Sequence, residues 1–183
     1  MATTTRTNTF LQRLIGAMAL DAAIYEEVEA DQKATSQAVL VVLASSLAAG
    51  VGAHAFGGQT LVNVAFFGVV SLIAWAAWAV VTFEIGVRIL PQPQTRADVG
   101  QLLRTTGFSA APGILRVFGL LPGVTVPVFI ITAVWMLAAM VVAVRQALDF
   151  PTTGRAVAVC LLGWFLAIVV AMGIGLLFGP TVS

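Results

Sequence analysis

The sequence predicts an all-α protein: a polytopic bundle of five transmembrane helices preceded by an N-terminal cytoplasmic amphipathic helix. Three observations predict this fold. Of 183 residues, 60% are hydrophobic and 9% are charged, whereas about 25% of the residues in a soluble domain are charged. The apolar residues form runs of the roughly 20 residues that a helix needs to cross a bilayer. Lysine and arginine occur in alternate connections between these runs.

The composition also excludes several classes of protein. A mean hydropathy of +1.02 excludes a soluble globule and a disordered chain, because a fold of this size cannot hide so much apolar surface from water. The net charge of +1 is far from the basic surface that nucleic acid requires, and we predict no nucleic-acid partner. A single cysteine excludes an internal disulfide.

Residues 1–33 are predicted to form a cytoplasmic tail that contains the amphipathic helix. Apolar side chains recur there at helical spacing, with charged residues between them. A signal peptide is the alternative, since Arg13 precedes an apolar stretch and Ala17-Met18-Ala19 resembles a cleavage site. That stretch ends at Asp21 after seven residues, at the lower limit for such a segment. We therefore predict a helix that lies on the membrane surface or against the bundle. Its apolar positions are Leu11, Leu14, Ile15, Met18, Ala22, Tyr25 and Val28.

The remaining residues, 34–183, are predicted to form the transmembrane domain. Pro91 blocks continuation of the second apolar run, because proline lacks an amide proton and clashes with the preceding turn. The third run is the weakest, since Gly107, Pro112 and Gly113 interrupt it and Pro122 follows it. We assign these four residues to helix breaks and close packing. The predicted spans are residues 38–56, 61–85, 103–121, 124–144 and 156–178.

The positive residues support five spans and give the orientation. They occur before the first span, between the second and third, and around the loop between the fourth and fifth, and the other connections have none. Because cytoplasmic loops collect lysine and arginine, we predict a cytoplasmic N-terminus and an external C-terminus. Four spans would break this alternation. The residues are Lys33, Arg88, Arg96, Arg104, Arg145 and Arg155.

No pattern in the sequence is typical of a catalytic or metal site. A serine hydrolase would have to pair the single histidine, His54, with a serine, but no Gly-x-Ser-x-Gly motif is present. Histidine and cysteine are too scarce for a metal site, and the acidic residues between Glu26 and Asp31 lack a calcium-loop pattern. We predict that the protein is not an enzyme and holds no metal or cofactor.

Ionisable residues within the spans are better candidates, because each is costly in lipid and needs a partner or water. Arg116 lies inside the third span, whereas every other lysine and arginine falls on the predicted cytoplasmic side. We predict that Arg116 contacts an anionic lipid, a partner carboxylate or a substrate; the alternative is that its long side chain extends to the outer headgroups. Glu84 and Arg88, four residues apart, predict an ion pair at the membrane interface.

Three segments carry a resemblance to a known family. They are Leu20-Asp21 followed by Ile24–Asp31, Leu103–Gly113 (an aromatic residue after glycine, then small residues and proline), and Val144–Asp149 with Thr153–Ala156 after it. With Trp135, they resemble the Yip1-domain family, particularly its short bacterial members, over about residues 9–178. The resemblance implies a five-helix fold in a bacterial cytoplasmic membrane.

Eukaryotic members of the family that this chain resembles act in vesicle traffic with small GTPases. This chain lacks the long cytoplasmic N-terminal region and the acidic-Leu-aromatic-Gly-Pro motif of those members, and we therefore do not expect GTPase binding.

Three hypotheses for function follow. The first is a scaffold or accessory subunit of a membrane assembly, which contacts lipids and associates with a protein partner or with itself. The second is a small transporter or channel that uses the broken third span and Arg116, since interrupted helices often mark substrate sites. Membrane shaping by the amphipathic helix ranks third, because an acidic helix is weakly attracted to anionic lipids.

Overall fold

A computed structural model describes residues 8–53, 61–93, 95 and 97–178. Every regular element in these residues is a helix. His54, Arg96, the end of the first predicted span and the two termini lie outside the described residues. The helices are α1 (Phe10–Met18), α2 (Ala22–Ala30), α3 (Ala34–Gly52), α4 (Leu61–Glu84), α5 (Val99–Phe108), α6 (Thr125–Ala147) and α7 (Thr153–Phe178); a π-helix (Ile85–Ile89) extends α4, and a 3₁₀ helix (Ala111–Leu120) follows α5.

Four of these helices are long and apolar enough to cross a membrane within the described part of the chain. They are α3, α4 with its π-helical extension, α6 and α7, and they coincide with the first, second, fourth and fifth predicted spans. Pro127 lies in the first turn of α6, where its missing amide proton costs no helical hydrogen bond. The protein is therefore an all-helical membrane protein.

The third predicted span, 103–121, is divided into two shorter helices rather than forming one. The α-helix α5 ends at Phe108, and the 3₁₀ helix begins at Ala111 with Pro112 in its first turn. The break has a steric cause, since Pro112 has no amide proton to donate to the carbonyl of Phe108, four residues earlier, and its ring would clash with that carbonyl in an α-helix. A 3₁₀ helix of ten residues is unusually long.

The N-terminal segment also differs from the prediction, because it forms two helices instead of one. Leu20 adopts a left-handed conformation with φ of 61°, which ends α1 and turns the chain. Asp21 then caps α2, and its Oδ1 accepts a hydrogen bond from the Ala23 amide at 3.0 Å. Thr9 begins α1 in a capping box with Gln12.

The N-terminal helices pack into the bundle and cover one of its ends, which we call the capped end. Tyr25 and Val28 of α2 are completely buried against α3, α5 and α6. The Trp135 indole Nε1 of α6 donates to the Met18 carbonyl at the end of α1 (2.7 Å). A second buried cluster at this end joins α4, α5, α6 and α7 through Ala79, Leu102, Val144, Leu148 and Ala156.

Candidate functional site: a cavity inside the helix bundle

A cavity with a volume of about 820 Å³ lies between α3, α4, α6 and the α5–3₁₀ pair. Small residues form much of its wall, including Ala49 of α3, Ala74 of α4 and Ala133 of α6. Protein interiors are normally close-packed, and these short side chains leave the space open. The volume falls in the range of small-molecule sites, about 300–1,000 Å³.

Few polar groups line this cavity, and most of them are bonded within the protein. The Ser46 Oγ on α3 and the Ser71 Oγ on α4 lie 2.6 Å apart, and Ser46 also donates to the Val42 carbonyl (2.9 Å). The Trp75 indole donates to Thr106 Oγ1 (3.2 Å). Serine and threonine hydroxyls that bond to backbone carbonyls of their own helix are common in membrane helices. The wall is therefore mostly apolar.

Aromatic side chains form the α4–α7 side of the cavity. Trp78 and Trp164 stack edge to face with ring centroids 6.1 Å apart. Gly163 allows this approach, since a Cβ there would lie 2.9 Å from Cη2 of Trp78. The Nε1 of Trp78 is buried and has no acceptor among the described residues.

Arg116 of the 3₁₀ helix lines the cavity and is half-buried. Its Nε donates to Thr132 Oγ1 (3.2 Å) on α6, and its guanidinium carbon lies 5.3 Å from the centroid of the Phe129 ring. Both contacts hold the guanidinium against α6, and the aromatic one is a cation–π interaction. Its two terminal nitrogens have no partner among the described residues. The side chain that the sequence singled out thus points a cation into a mostly apolar cavity.

The α5–3₁₀ pair runs alongside the whole length of α3. At three glycines, a Cβ would meet successive positions on α3: Ala38 from Gly107, Ser45 from Gly113, and Gly52 from Gly119. In the other direction, a Cβ at Gly52 would meet the backbone carbonyl of Arg116.

Among the four residues assigned to breaks and packing, Gly107, Pro112 and Gly113 are buried, whereas Pro122 lies exposed in the turn before α6. The Glu84–Arg88 pair lies elsewhere, on the surface at the end of α4. Its Arg88 Nε and Glu84 Oε2 are 2.9 Å apart, with the arginine 73% exposed.

The model of the Yip1 domain matches residues 22–174 of this chain. The chain belongs to the Yip1-domain family. The match includes every helix that lines the cavity and leaves out α1. No curated protein and no solved structure matches the chain.

Two buried arginines, which sequence reasoning assigned to the cytoplasmic side, hold the N-terminal helices to the rest of the bundle. Arg13 of α1 is 2% exposed; its Nη2 lies 2.9 Å from Glu27 and 2.8 Å from Asp31, and its Nη1 donates to Gln37 of α3 (3.0 Å). Hydrogen bonding to Arg13 lowers the pKa of Asp31.

Arg104 of α5 donates through Nε to the carbonyls of Val28 (3.1 Å) and Glu29 (2.9 Å) at the end of α2. These bonds satisfy carbonyls that the end of α2 would otherwise leave unpaired. A sequence signal existed, because Arg104 falls inside the third predicted apolar span.

A smaller polar pocket of about 370 Å³ opens at the capped end of the Yip1 domain. Glu26, Glu29 and Asp149 line it, and Gln146 donates to Glu26 (2.7 Å). Burial, followed by the charge of Asp149, raises the pKa of Glu29 to about 7.

The described residues contain no group of His, Cys, Asp and Glu that could hold a metal ion.

Proposed function

We propose that this Yip1-domain protein is a non-enzymatic integral membrane protein that acts as a scaffold or accessory subunit of a membrane assembly. The observation that carries the proposal is that the most buried charged residues of this protein join its helices to one another. Arg13 and Arg104 are committed to bonds between helices and fix the N-terminal cap on the bundle. Such bonds favour a rigid, preformed surface over a reactive one.

The proposal includes a membrane topology of five crossings, in which the α5–3₁₀ pair forms the third. Each helix of the pair has ten residues, and at 1.5 Å and 2.0 Å per residue they extend about 35 Å in total. The hydrocarbon core is about 30 Å thick. The succession of contacts along α3 supports the same path. The N-terminus is then cytoplasmic and the C-terminus external, in a bacterial cytoplasmic membrane.

In this topology, α1 lies at the cytoplasmic membrane interface as an amphipathic helix. Most of its outward-facing side chains are apolar, with Leu11 61% and Ile15 57% exposed; Gln12 is an exposed polar residue, and Arg13 points inward. Apolar groups that face outward fit a lipid environment better than water. The cap therefore presents its polar surface, including Glu26 and Gln146, to the cytoplasm, where a partner other than a small GTPase binds.

The partner is tested by extracting the tagged full-length protein from its native membrane in mild detergent and identifying co-purifying proteins by mass spectrometry. We expect a second protein, or a second copy of this chain, in fixed stoichiometry. Arg104→Met frees the end of α2 and should lose that partner. Arg88→Met removes an exposed arginine at the same end and should keep it.

Recovery of the wild-type protein as a lone monomer would contradict the scaffold role. It would favour the transporter hypothesis, which the break between α5 and the 3₁₀ helix at the cavity supports.

A further inference from the structure

The positive charge of Arg116 has no Asp or Glu counter-charge near it among the described residues. All eight Asp and Glu residues lie between 21 and 31 or at positions 84, 98 and 149. The structure places these positions in the N-terminal helices, at the end of α4, at the start of α5 and after α6, which together form the capped end. Arg116 lies toward the opposite end, next to Gly52. An arginine inside a membrane needs a partner or water; no carboxylate of the described residues is near enough to serve, which points to an anionic partner from another molecule.

The cavity beside Arg116 reaches the outer surface of the bundle. Three of its lining residues are partly exposed there: Val70 of α4 (41%), Leu137 of α6 (48%) and Trp164 of α7 (50%). This surface faces lipid in a membrane-spanning bundle. A hydrocarbon chain from the bilayer can therefore enter the cavity from the side, whereas a strongly hydrated solute would have to leave water first.

We propose that the cavity holds an acyl chain of an anionic lipid whose headgroup is bound by Arg116. The mostly apolar wall accommodates the chain, and the terminal guanidinium nitrogens bind the phosphate, which they can contact through two hydrogen bonds. The binding site is independent of the partner that the cap binds.

Tryptophan fluorescence tests this directly, because three of the four tryptophans line the cavity (Trp75, Trp78 and Trp164). The full-length protein is placed in nanodiscs of unlabelled phosphatidylcholine that contain equal small fractions of either brominated phosphatidylglycerol or brominated phosphatidylcholine. Bromine quenches an indole on contact. We expect at least twofold greater quenching by the anionic lipid.

Two pairs of variants separate the headgroup contact from the chain contact. Arg116→Gln should abolish the preference for the anionic lipid, and Arg116→Lys, which keeps the charge, should retain most of it. Ala133→Phe fills the cavity and should reduce quenching by both lipids. Val134→Phe is the matched control, because Val134 is the next residue of α6, is 63% exposed and lies outside the cavity, and it should leave quenching unchanged.

Each variant is first run on a size-exclusion column. Elution at the same volume as the wild type establishes that the variant is folded. Equal quenching of the wild type by the two lipids would overturn the proposal, as would an unchanged preference in Arg116→Gln. A preference that survives Ala133→Phe undiminished would show that the lipid binds outside the cavity and would also overturn it.

Discussion

Replacing Gly52 by alanine is expected to abolish most of the folded protein. A Cβ at this position would overlap the backbone carbonyl of Arg116 and would lie 3.3 Å from the Phe129 ring. A backbone atom cannot move aside as a flexible side chain can, so α3 and the 3₁₀ helix would have to separate. Overpacking of side chains costs about 1–3 kcal/mol, and we expect at least about 3 kcal/mol for this contact with backbone.

The measurement is the yield and the thermal unfolding midpoint of the detergent-solubilised protein. Gly154→Ala is the matched control, since Gly154 lies in the first turn of α7 with nothing within 4 Å of an added Cβ. Alanine is the better helix former, by up to about 1 kcal/mol, so this variant should be neutral or slightly more stable. Equal midpoints for Gly52→Ala and wild type would show that the 3₁₀ helix does not pack on α3 as described.

The second large effect is expected from Arg13→Met, which keeps an unbranched apolar stem and removes the charged guanidinium group. Glu27 and Asp31 would lose their shared cation and Gln37 its donor. Removing one partner of a fully buried ion pair costs about 3–5 kcal/mol. Because the two carboxylates are 23% and 29% exposed, water compensates them in part, and we expect about 2–3 kcal/mol.

The pH dependence of this loss identifies the ion pairs as its cause. Hydrogen bonding to Arg13 lowers the pKa of Asp31 from its ordinary 3.8. Burial opposes the same change at Glu27, but hydrogen bonds from Asn8 and Arg13 outweigh it and lower the pKa from 4.5. A lowered pKa contributes stability that is complete above the ordinary value and is lost as the pH falls through the folded value.

The difference in unfolding midpoint between wild type and Arg13→Met should therefore be full at pH 7 and shrink below about pH 4. Arg88→Met removes an exposed arginine from its pair with Glu84. This variant should lower the free energy of unfolding by less than about 1 kcal/mol, and its midpoint should stay close to that of the wild type. A pH-independent difference at Arg13 would mean that lost packing, rather than lost charge, causes the effect.

The four long helices could be predicted from the sequence because a run of apolar residues of the required length has few alternatives in water or lipid. The breaks were harder to predict. Pro112 signalled one break, and the structure places it between α5 and the 3₁₀ helix. Leu20 gave no signal for the other, since a left-handed conformation is rare for a leucine; the break follows from how α1 and α2 pack on the bundle.

The site was predictable only in part. Arg116 stood out because an ionisable residue in an apolar run is costly, but the cavity beside it depends on how Ala49, Ala74 and Ala133 face one another across three helices. Arg13 was expected only among the charged residues between the apolar positions of the N-terminal helix, because helical periodicity separates the two kinds of residue. Its burial depends on Glu27, Asp31 and Gln37, which reach it from α2, the turn after α2 and α3.

The central claim, that the α5–3₁₀ pair crosses the membrane as the third of five segments, is tested most directly by cysteine labelling. In a Cys160→Ser background, which removes the single native cysteine, cysteines are introduced separately at Leu121, after the 3₁₀ helix, and at Pro151, between α6 and α7; both positions are exposed. A membrane-impermeant maleimide is applied to cells with an intact cytoplasmic membrane. We predict labelling of Leu121→Cys in intact cells and of Pro151→Cys only after permeabilisation. The reverse pattern would place the α5–3₁₀ pair on the cytoplasmic side, with four crossings, and would contradict the account.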